Sequence, residues 1–409
     1  MKKAARKMIS VLLMTLMGLV TGMAGVSYAQ AVKEIKIGVP HPLTGWMAEG
    51  GINSLRGFKL GVKDINESGG IKALGGAKIV VVEADTGSAD PAMAASVTRR
   101  LIAEDKVIAL AGCYFSNMTL QASTEAERSK IPIISHSYVD KLSERGYKYY
   151  FQLPPKASQF GVKTMEYISD VLKEANKKVT KVALVGSNDA AYKMQQDAVA
   201  KKVIEAGLKI VVNELYPMSI TDASPIVSKV KESGAEIIIG GGNAISDVIL
   251  ILRNLRAVGI MVPLFSTGGG ALLDRGFGDG LGAAADGVLG LGAWSWDLPY
   301  PGVDKVAKSY EKEYNEPFMP QESGEMYIAA WVLKEAIEKA GKPDPTAIRN
   351  VLATYDSSTG PAAMMPGSGI KFDANGWNER SFPVMIEWKD NKPRTVWPKK
   401  VQAMKPFIK

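Results

Sequence analysis

From Glu34 onward, apolar runs alternate with helical segments so regularly that few architectures can hold the chain. "EIKIGV" (34–39) reads as a strand, and "INSLRGFKLGVKDINESGG" (52–70) puts Leu55, Phe58, Val62 and Ile65 on one helical face before paired glycines stop it. "AKIVVVEAD" (77–85) is a second strand. Asp90 and Pro91 offer an N-cap and an N1 proline for a helix through Leu101. "VIALAG" (107–112), a helix from about Asn117, and "IPIIS" (131–135) continue the series. Strands apolar on both faces and separated by helices call for a parallel sheet covered on each side.

The series restarts after "YYFQLPPKASQFG" (149–161). A helix over Met165, Ile168 and Leu172 leads to "KVALVG" (181–186), a helix through Val203, and "LKIVVNELY" (208–216). Ser224-Pro225 is expected to cap the next helix, before the strand "AEIIIGGG" (235–242), a helix ending at Gly259, and "VPLFSTGGG" (262–270). Three helical segments follow, then "GIKFDANGWN" (369–378) and the strands "FPVMIEW" and "RTVWP". These are too few for a third core, so the chain is expected to return to the first lobe and then to the second. The fold class is therefore α/β: two doubly wound parallel-sheet lobes joined by a three-segment hinge. Residues 30–153 plus 296–378 form lobe one, and 154–295 plus 379–409 form lobe two.

Residues 1–29 read as an export signal. Lys2, Lys3, Arg6 and Lys7 precede the apolar "MISVLLMTLMGLV", and "SYA" ending at Ala29 is a small-x-small cleavage site. Removing it takes away four basic residues and no acidic one, which halves the formal charge of +8. The basic balance therefore does not point to a nucleic-acid partner. A periplasmic location is expected, with no membrane span in the mature chain. Cys113 is the only cysteine and His41 and His136 the only histidines, which argues against a disulfide, a zinc site or a Cys/His nucleophile. No cofactor or metal is expected.

The residues then resemble a known family, the type I periplasmic solute-binding proteins of the branched-chain amino-acid group. "IGVPHPLTGWMAEGG", "GVKDINESGGI", "ADTGSADPAMAASVTRRLI", "IPIIS", "YFQLPPKASQFG" and "GIKFDANGW" carry the likeness, in order, over residues 32–400. The resemblance implies capture of a small solute between the lobes, delivery to an inner-membrane ABC permease, and a monomer.

In open α/β sheets, ligands lie beyond the carboxyl ends of the strands, here at 40–46, 112–117, 135–138, 186–192, 240–243 and 266–270. Matched to the family, Ser116 falls where the ligand carboxylate is held, beside the N–H groups that open a helix. Ser137 and Tyr138 fall at further carboxylate contacts, Tyr192 at an aromatic that closes over the ligand, and Asn243 where an aromatic is frequent. Gly268 stands where amino-acid binders carry an acid for the ligand ammonium. That departure implies a solute without an ammonium, and Gly268, Gly269 and Gly270 would leave volume for it. Trp46, Tyr114, Phe115, Trp294 and Trp296 would furnish a wide apolar cleft, with His136 donating to a carboxylate or phenolate. Aromatic acids, aliphatic acids, amides and amino acids stay open, in that order of preference. Should an ammonium be present, Asp189 is the first candidate to meet it.

Two other functions compete. A hydrolase could use Ser116 or Ser137 with His136, but the chain has no G-x-S-x-G elbow and no acid evident to orient the histidine. A ligand sensor is the other, since relatives of the fold feed receptors; the export signal and the lack of an output domain weigh against it. "NMT" at Asn117 and "GLGAAADG" match glycosylation and dinucleotide patterns only by chance.

Overall fold

The computed structural model describes residues 32–88, 90–242, 244–269 and 272–408. The expected export segment, Asn243 and Gly270 lie outside them. Among the described residues, no helix is long and apolar enough to cross a membrane.

The first series builds a five-stranded parallel sheet. Its strands are β1 (Glu34–His41), β2 (Lys78–Asp85), β3 (Ala109–Ala111), β4 (Ile133–Ser135) and β5 (Tyr150–Gln152), in the order β2-β1-β3-β4-β5. Helix Pro91–Ala103 starts as expected, with the Asp90 carboxylate accepting from Ala92 N–H and proline in its first turn. The second series gives β6 (Lys181–Ser187), β7 (Lys209–Tyr216), β8 (Ile237–Gly241), β9 (Leu264–Ser266) and β10 (Leu289–Gly292), all parallel. A small ladder pairs β11 (Asp356–Ser357) with β12 (Ile370–Lys371). The hairpin of β13 (Val384–Lys389) and β14 (Lys392–Trp397) then joins the second sheet antiparallel, giving β14-β13-β10-β9-β8-β6-β7. One detail differs from expectation. Helix Ser224–Ser233 contains Ser224 as its first residue, and Asp222 accepts the Ser224 N–H at 2.9 Å instead.

The chain passes between the sheets after β5, after β10 and before β13. The first and third passages run side by side: Gln152 N–H donates to Gly376 O at 2.7 Å, and Trp377 Nε1–H to Pro154 O at 3.1 Å. Helices drawn from residues 303–352 return to cover the first sheet. Helix Ala48–Glu67 lies on helix Gln321–Ala340, and the two approach so closely at Gly57 that a Cβ there would be 2.1 Å from Ser323 O. Phe58, Leu60, Met326, Ile328 and Leu333 share the core that this contact seals.

Candidate functional site

In the first sheet the strand order reverses between β1 and β3, and in the second between β6 and β8. Loops leaving adjacent strands diverge at such points and open a crevice. The two crevices face each other here, because the lobes touch across their strand-end loops. The ring of Tyr138 meets Phe160 of the second lobe at 4.9 Å, Asn53 Nδ2 donates to Asp274 Oδ1 at 2.7 Å, and Gly276 N–H donates to Glu49 Oε1 at 2.9 Å. At the rim, a cavity of roughly 360 Å³ lies between Glu49, Asn53 and Arg56 of one lobe and Arg275 of the other.

After β3 the chain turns through Tyr114 and Phe115 into helix Ser116–Ser129. No side chain caps this helix, and Ser116 Oγ has no hydrogen-bond partner among the described residues. A hydroxyl and uncapped first-turn N–H groups together suit an anion. Ser137 turns the other way. Its Oγ lies 2.6 Å from Thr119 Oγ1 and 3.1 and 3.2 Å from the Cys113 and Tyr114 carbonyls. It braces the Tyr114 loop and is spent there, contrary to the ligand contact expected of it.

His136 is fully buried beside Tyr114 and His41, with ring centroids 5.8 and 5.6 Å away. Ser54 Oγ gives its one proton to Gly50 O at 2.7 Å, so at 3.0 Å it can only accept from His136 Nε2–H. Nδ1 is then a bare acceptor, and it has no partner among the described residues. Burial pushes the imidazole down to about 3. A neutral ring whose only proton is used on Ser54 cannot donate to a carboxylate, which corrects the role expected from the sequence. His41 is buried and neutral too, held well below its ordinary value by burial and by His136.

The second lobe brings Tyr192. Asp189 caps its helix, accepting from the Ala191 and Tyr192 N–H groups at 3.0 and 3.1 Å and from Ser187 Oγ at 2.5 Å. Asp189 is thereby engaged and does not serve as an ammonium partner. Tyr192 is buried, and its hydroxyl has no partner in hydrogen-bond geometry among the described residues. The glycines at the end of β9 do not leave volume. At Gly268 (φ +121°) a Cβ would stand 2.5 Å from the Phe160 ring, and at Gly269 (φ +117°) 2.5 Å from the Tyr192 hydroxyl. They are small so that these two rings can come in.

The other aromatics divide. Trp46 meets Phe115 edge-on at 5.8 Å, and both pack the core beside the Tyr114 loop. Trp294 is buried with Nε1–H donating to Met364 O at 3.1 Å, and Trp296 donates to Pro393 O at 2.8 Å. Those two tryptophans pack the second passage between lobes and do not widen the cleft. Tyr138 accepts from Gln321 Nε2, while Gln321 Oε1 accepts the Ala293 N–H at 2.5 Å, which ties the Tyr138 loop to that same passage.

Sequence reasoning missed the acids. Glu322 and Glu325 begin helix Gln321–Ala340, wholly buried, and none of their four carboxylate oxygens has a hydrogen-bond partner among the described residues. Asp274 is buried as well, with Oδ2 unpaired among the described residues. Burial pushes Glu322 up to about 7, with Glu49 adding to the effect. Burial, then the neighbouring Glu322, raises Glu325 and Asp274 well above the usual carboxylate range. The same acids act on the three cleft phenols: Tyr114 and Tyr192 feel Glu322, and Tyr138 feels Glu325 and Glu322, after burial itself. Buried carboxylates thus lie near the cleft, and an acid missing at Gly268 does not by itself decide whether the solute carries an ammonium. The i, i+3 spacing of two glutamates was the available signal, hidden because it also suits an exposed helix face.

A family model described as "Periplasmic binding protein" matches residues 34–386. Leu/Ile/Val-binding protein homolog 7 of Brucella suis is 30% identical over 383 residues, covering 90% of this chain and 93% of the relative. Among solved structures, the branched-chain amino acid transporter substrate-binding protein LivJ from Streptococcus pneumoniae, in complex with isoleucine, superposes with a TM-score of 0.77 at 26% identity, over 90% of this chain and 100% of that one. A leucine-binding protein, LivK, from Thermotoga maritima shares the fold at a TM-score of 0.75 and 21% identity, over 88% and 97%. Two lobes of doubly wound sheet, their reversal points facing across a seam lined with unpaired polar groups, belong with these solute binders and not with enzymes: the chain is a member of the periplasmic binding protein family.

Proposed function

We propose that the protein is the extracytoplasmic solute-binding component of an ABC importer, gripping a small carboxylate-bearing solute between its lobes and presenting the closed form to a membrane permease. The uncapped start of helix Ser116–Ser129, with the unpaired Ser116 hydroxyl on its first turn, carries this reading. A carboxylate docked there gains hydrogen bonds and the favourable end of the helix dipole at once. Tyr114, Tyr138, Phe160 and Tyr192 would enclose an apolar or aromatic body. The lobe division proposed is 30–153 plus 296–378 against 154–295 plus 379–409. A branched-chain amino acid is the second reading, favoured by the names of the relatives and by the unpaired carboxylates of Glu322 and Glu325.

Hydrogen bonds to charged groups contribute roughly 1.5–3 kcal/mol. Ser116→Ala is therefore expected to weaken binding of carboxylate probes such as 3-phenylpropanoate or leucine about ten- to a hundredfold, with an unchanged melting temperature. Calorimetric Kd values that match the wild type would remove Ser116 from the site. Closure makes a separate prediction, since ligand favours whichever form gives it more contacts. The radius of gyration from X-ray scattering should fall on saturation with a bound probe. Identical profiles would contradict a hinge that closes on the ligand.

A further inference from the structure

We propose that the edge of the second lobe farthest from the cleft docks on an anionic lipid surface. The inference goes beyond solute capture. It concerns the face turned away from the solute, and it takes from the reading above only the extracytoplasmic setting.

The five parallel strands of the second sheet all start on one edge, so the loops entering them share a face at the end opposite the crevice. The turn between β13 and β14 lies on the same edge, since Glu387 stands opposite Leu289 at the start of β10. Seven strands about 4.8 Å apart make this face roughly 30 Å wide.

Six large apolar side chains are exposed among the described residues, and four of them gather here. Ile204, 67% exposed, stands on the last turn of helix Ala190–Glu205, just before β7. Val258 and Met261, the latter 64% exposed, lie in the loop entering β9. Phe407 is brought in by the chain end, its N–H donating to Glu387 Oε2 at 2.8 Å. Single exposed apolar residues need no explanation, but a cluster marks a face that meets something. Two cavities open between them. One of roughly 700 Å³ is lined by Met165, Ile168, Leu172 and Leu208, with Lys173 and Lys178 beside them. The other, of roughly 400 Å³, lies between Arg256, Met261 and Ile408.

Charge gathers with the apolar groups. Residues 173–181 carry four lysines and one glutamate. The nearby acids are engaged: Glu174 with Lys399 at 3.3 Å, Glu205 with Lys202 at 2.7 Å, and Glu236 with the Lys181 N–H at 3.1 Å. Lys173 and Lys178 have no acid within ion-pair distance among the described residues. Lysines beside exposed apolar side chains match the interface of a bilayer. Lipid phosphates meet the ammonium groups, while Ile204, Met261 and Phe407 enter the boundary between headgroups and acyl chains. A neutral bilayer would leave the lysines unmatched, and a compact anion would leave the apolar groups in water. The crevice, at the other end of the strands, stays free for solute.

The test is flotation of the chain from residue 30 onward with phosphatidylcholine vesicles containing about 30% phosphatidylglycerol, against vesicles of phosphatidylcholine alone. At about 50 mM salt the anionic vesicles should bind at least tenfold more protein, and the excess should vanish near about 500 mM. Lys173→Glu combined with Lys178→Glu should lower the partition coefficient at least tenfold, since each lysine near an anionic surface contributes separately. Met261→Ser combined with Phe407→Ser should lower it at least fivefold and keep the salt dependence. Both double variants should keep the wild-type melting temperature. Solute titrations are a separate measurement, so a protein that binds none of the solute probes leaves the docking result as it stands. Equal partition onto the two vesicles, no partition onto either, or anionic binding that survives both double variants overturns the assignment. So does a dimer in sedimentation velocity that the same variants dissolve, which would give the face to a second copy.

Discussion

Between pH 4 and pH 8 the unliganded protein is expected to lose about 3 kcal/mol of stability through Glu322, and the Glu322→Gln variant is not. The carboxyl is pushed up to about 7 in the folded chain from an ordinary value of 4.5, chiefly by burial. Above pH 4.5 the unfolded chain gives up this proton while the folded chain keeps it. The folded state then binds more protons, so stability falls as pH rises and levels off once pH passes about 7. Glu325 and Asp274 push in the same direction. Denaturant melts of both proteins at four pH values check this: the gap between them should shift in favour of the variant by about 3 kcal/mol across the window. Parallel curves would mean that Glu322 is not held protonated in a dry site.

Gly57→Ala should destabilise the protein by about 3 kcal/mol or more, toward the upper end of what overpacking costs. The added methyl would sit 2.1 Å from Ser323 O and 2.4 Å from Ser323 Cα, and backbone atoms of a packed helix cannot swing aside. The two helices must separate. Ser323 lies next to Glu322, so the separation also shifts the cleft acids, and affinity should fall together with the melting temperature. Gly69→Ala is the control: nothing lies within 4 Å of its Cβ, leaving backbone strain at φ +106° as the only cost, of order 1–3 kcal/mol with no loss of affinity. A Gly57→Ala protein within 1 kcal/mol of wild type by the same melts would show that the helix contact is softer than its geometry.

Where the chain announces its structure, it does so by period and punctuation. Leu55, Phe58 and Ile65 are buried on one face of their helix, and Asp90-Pro91 opens the next as capping chemistry requires. Strand β10 was hidden because "LGLG" carries two glycines, a composition strands avoid. The Leu272 side chain fills the place that a Cβ on Gly290 would take, so packing from another element does what no local preference could signal. The site was legible in its loops and not in its chemistry. Ser116, Tyr138 and Tyr192 lie where the strand ends place them. The inward turn of Ser137, the tautomer of His136 and the rings above Gly268 and Gly269 depend on neighbours 18 or more residues away. Glu322 and Glu325 were invisible for the plainest reason: a glutamate at the start of a helix is ordinarily a solvent-exposed residue.

The interleaving of the lobes also sets when the protein can become a protein. Phe58 and Leu60 wait for Met326 and Leu333 to cover them, and β10 waits for β13 to pair along its free side. Neither half can finish its interior until almost the whole chain is present, so domain-by-domain folding during synthesis, open to chains cut into contiguous units, is closed to this one. For a chain that works outside the cytoplasm that delay is an asset, because an unfinished chain stays threadable. The same three passages that join the lobes hold the polypeptide open until it has reached the place where it must close.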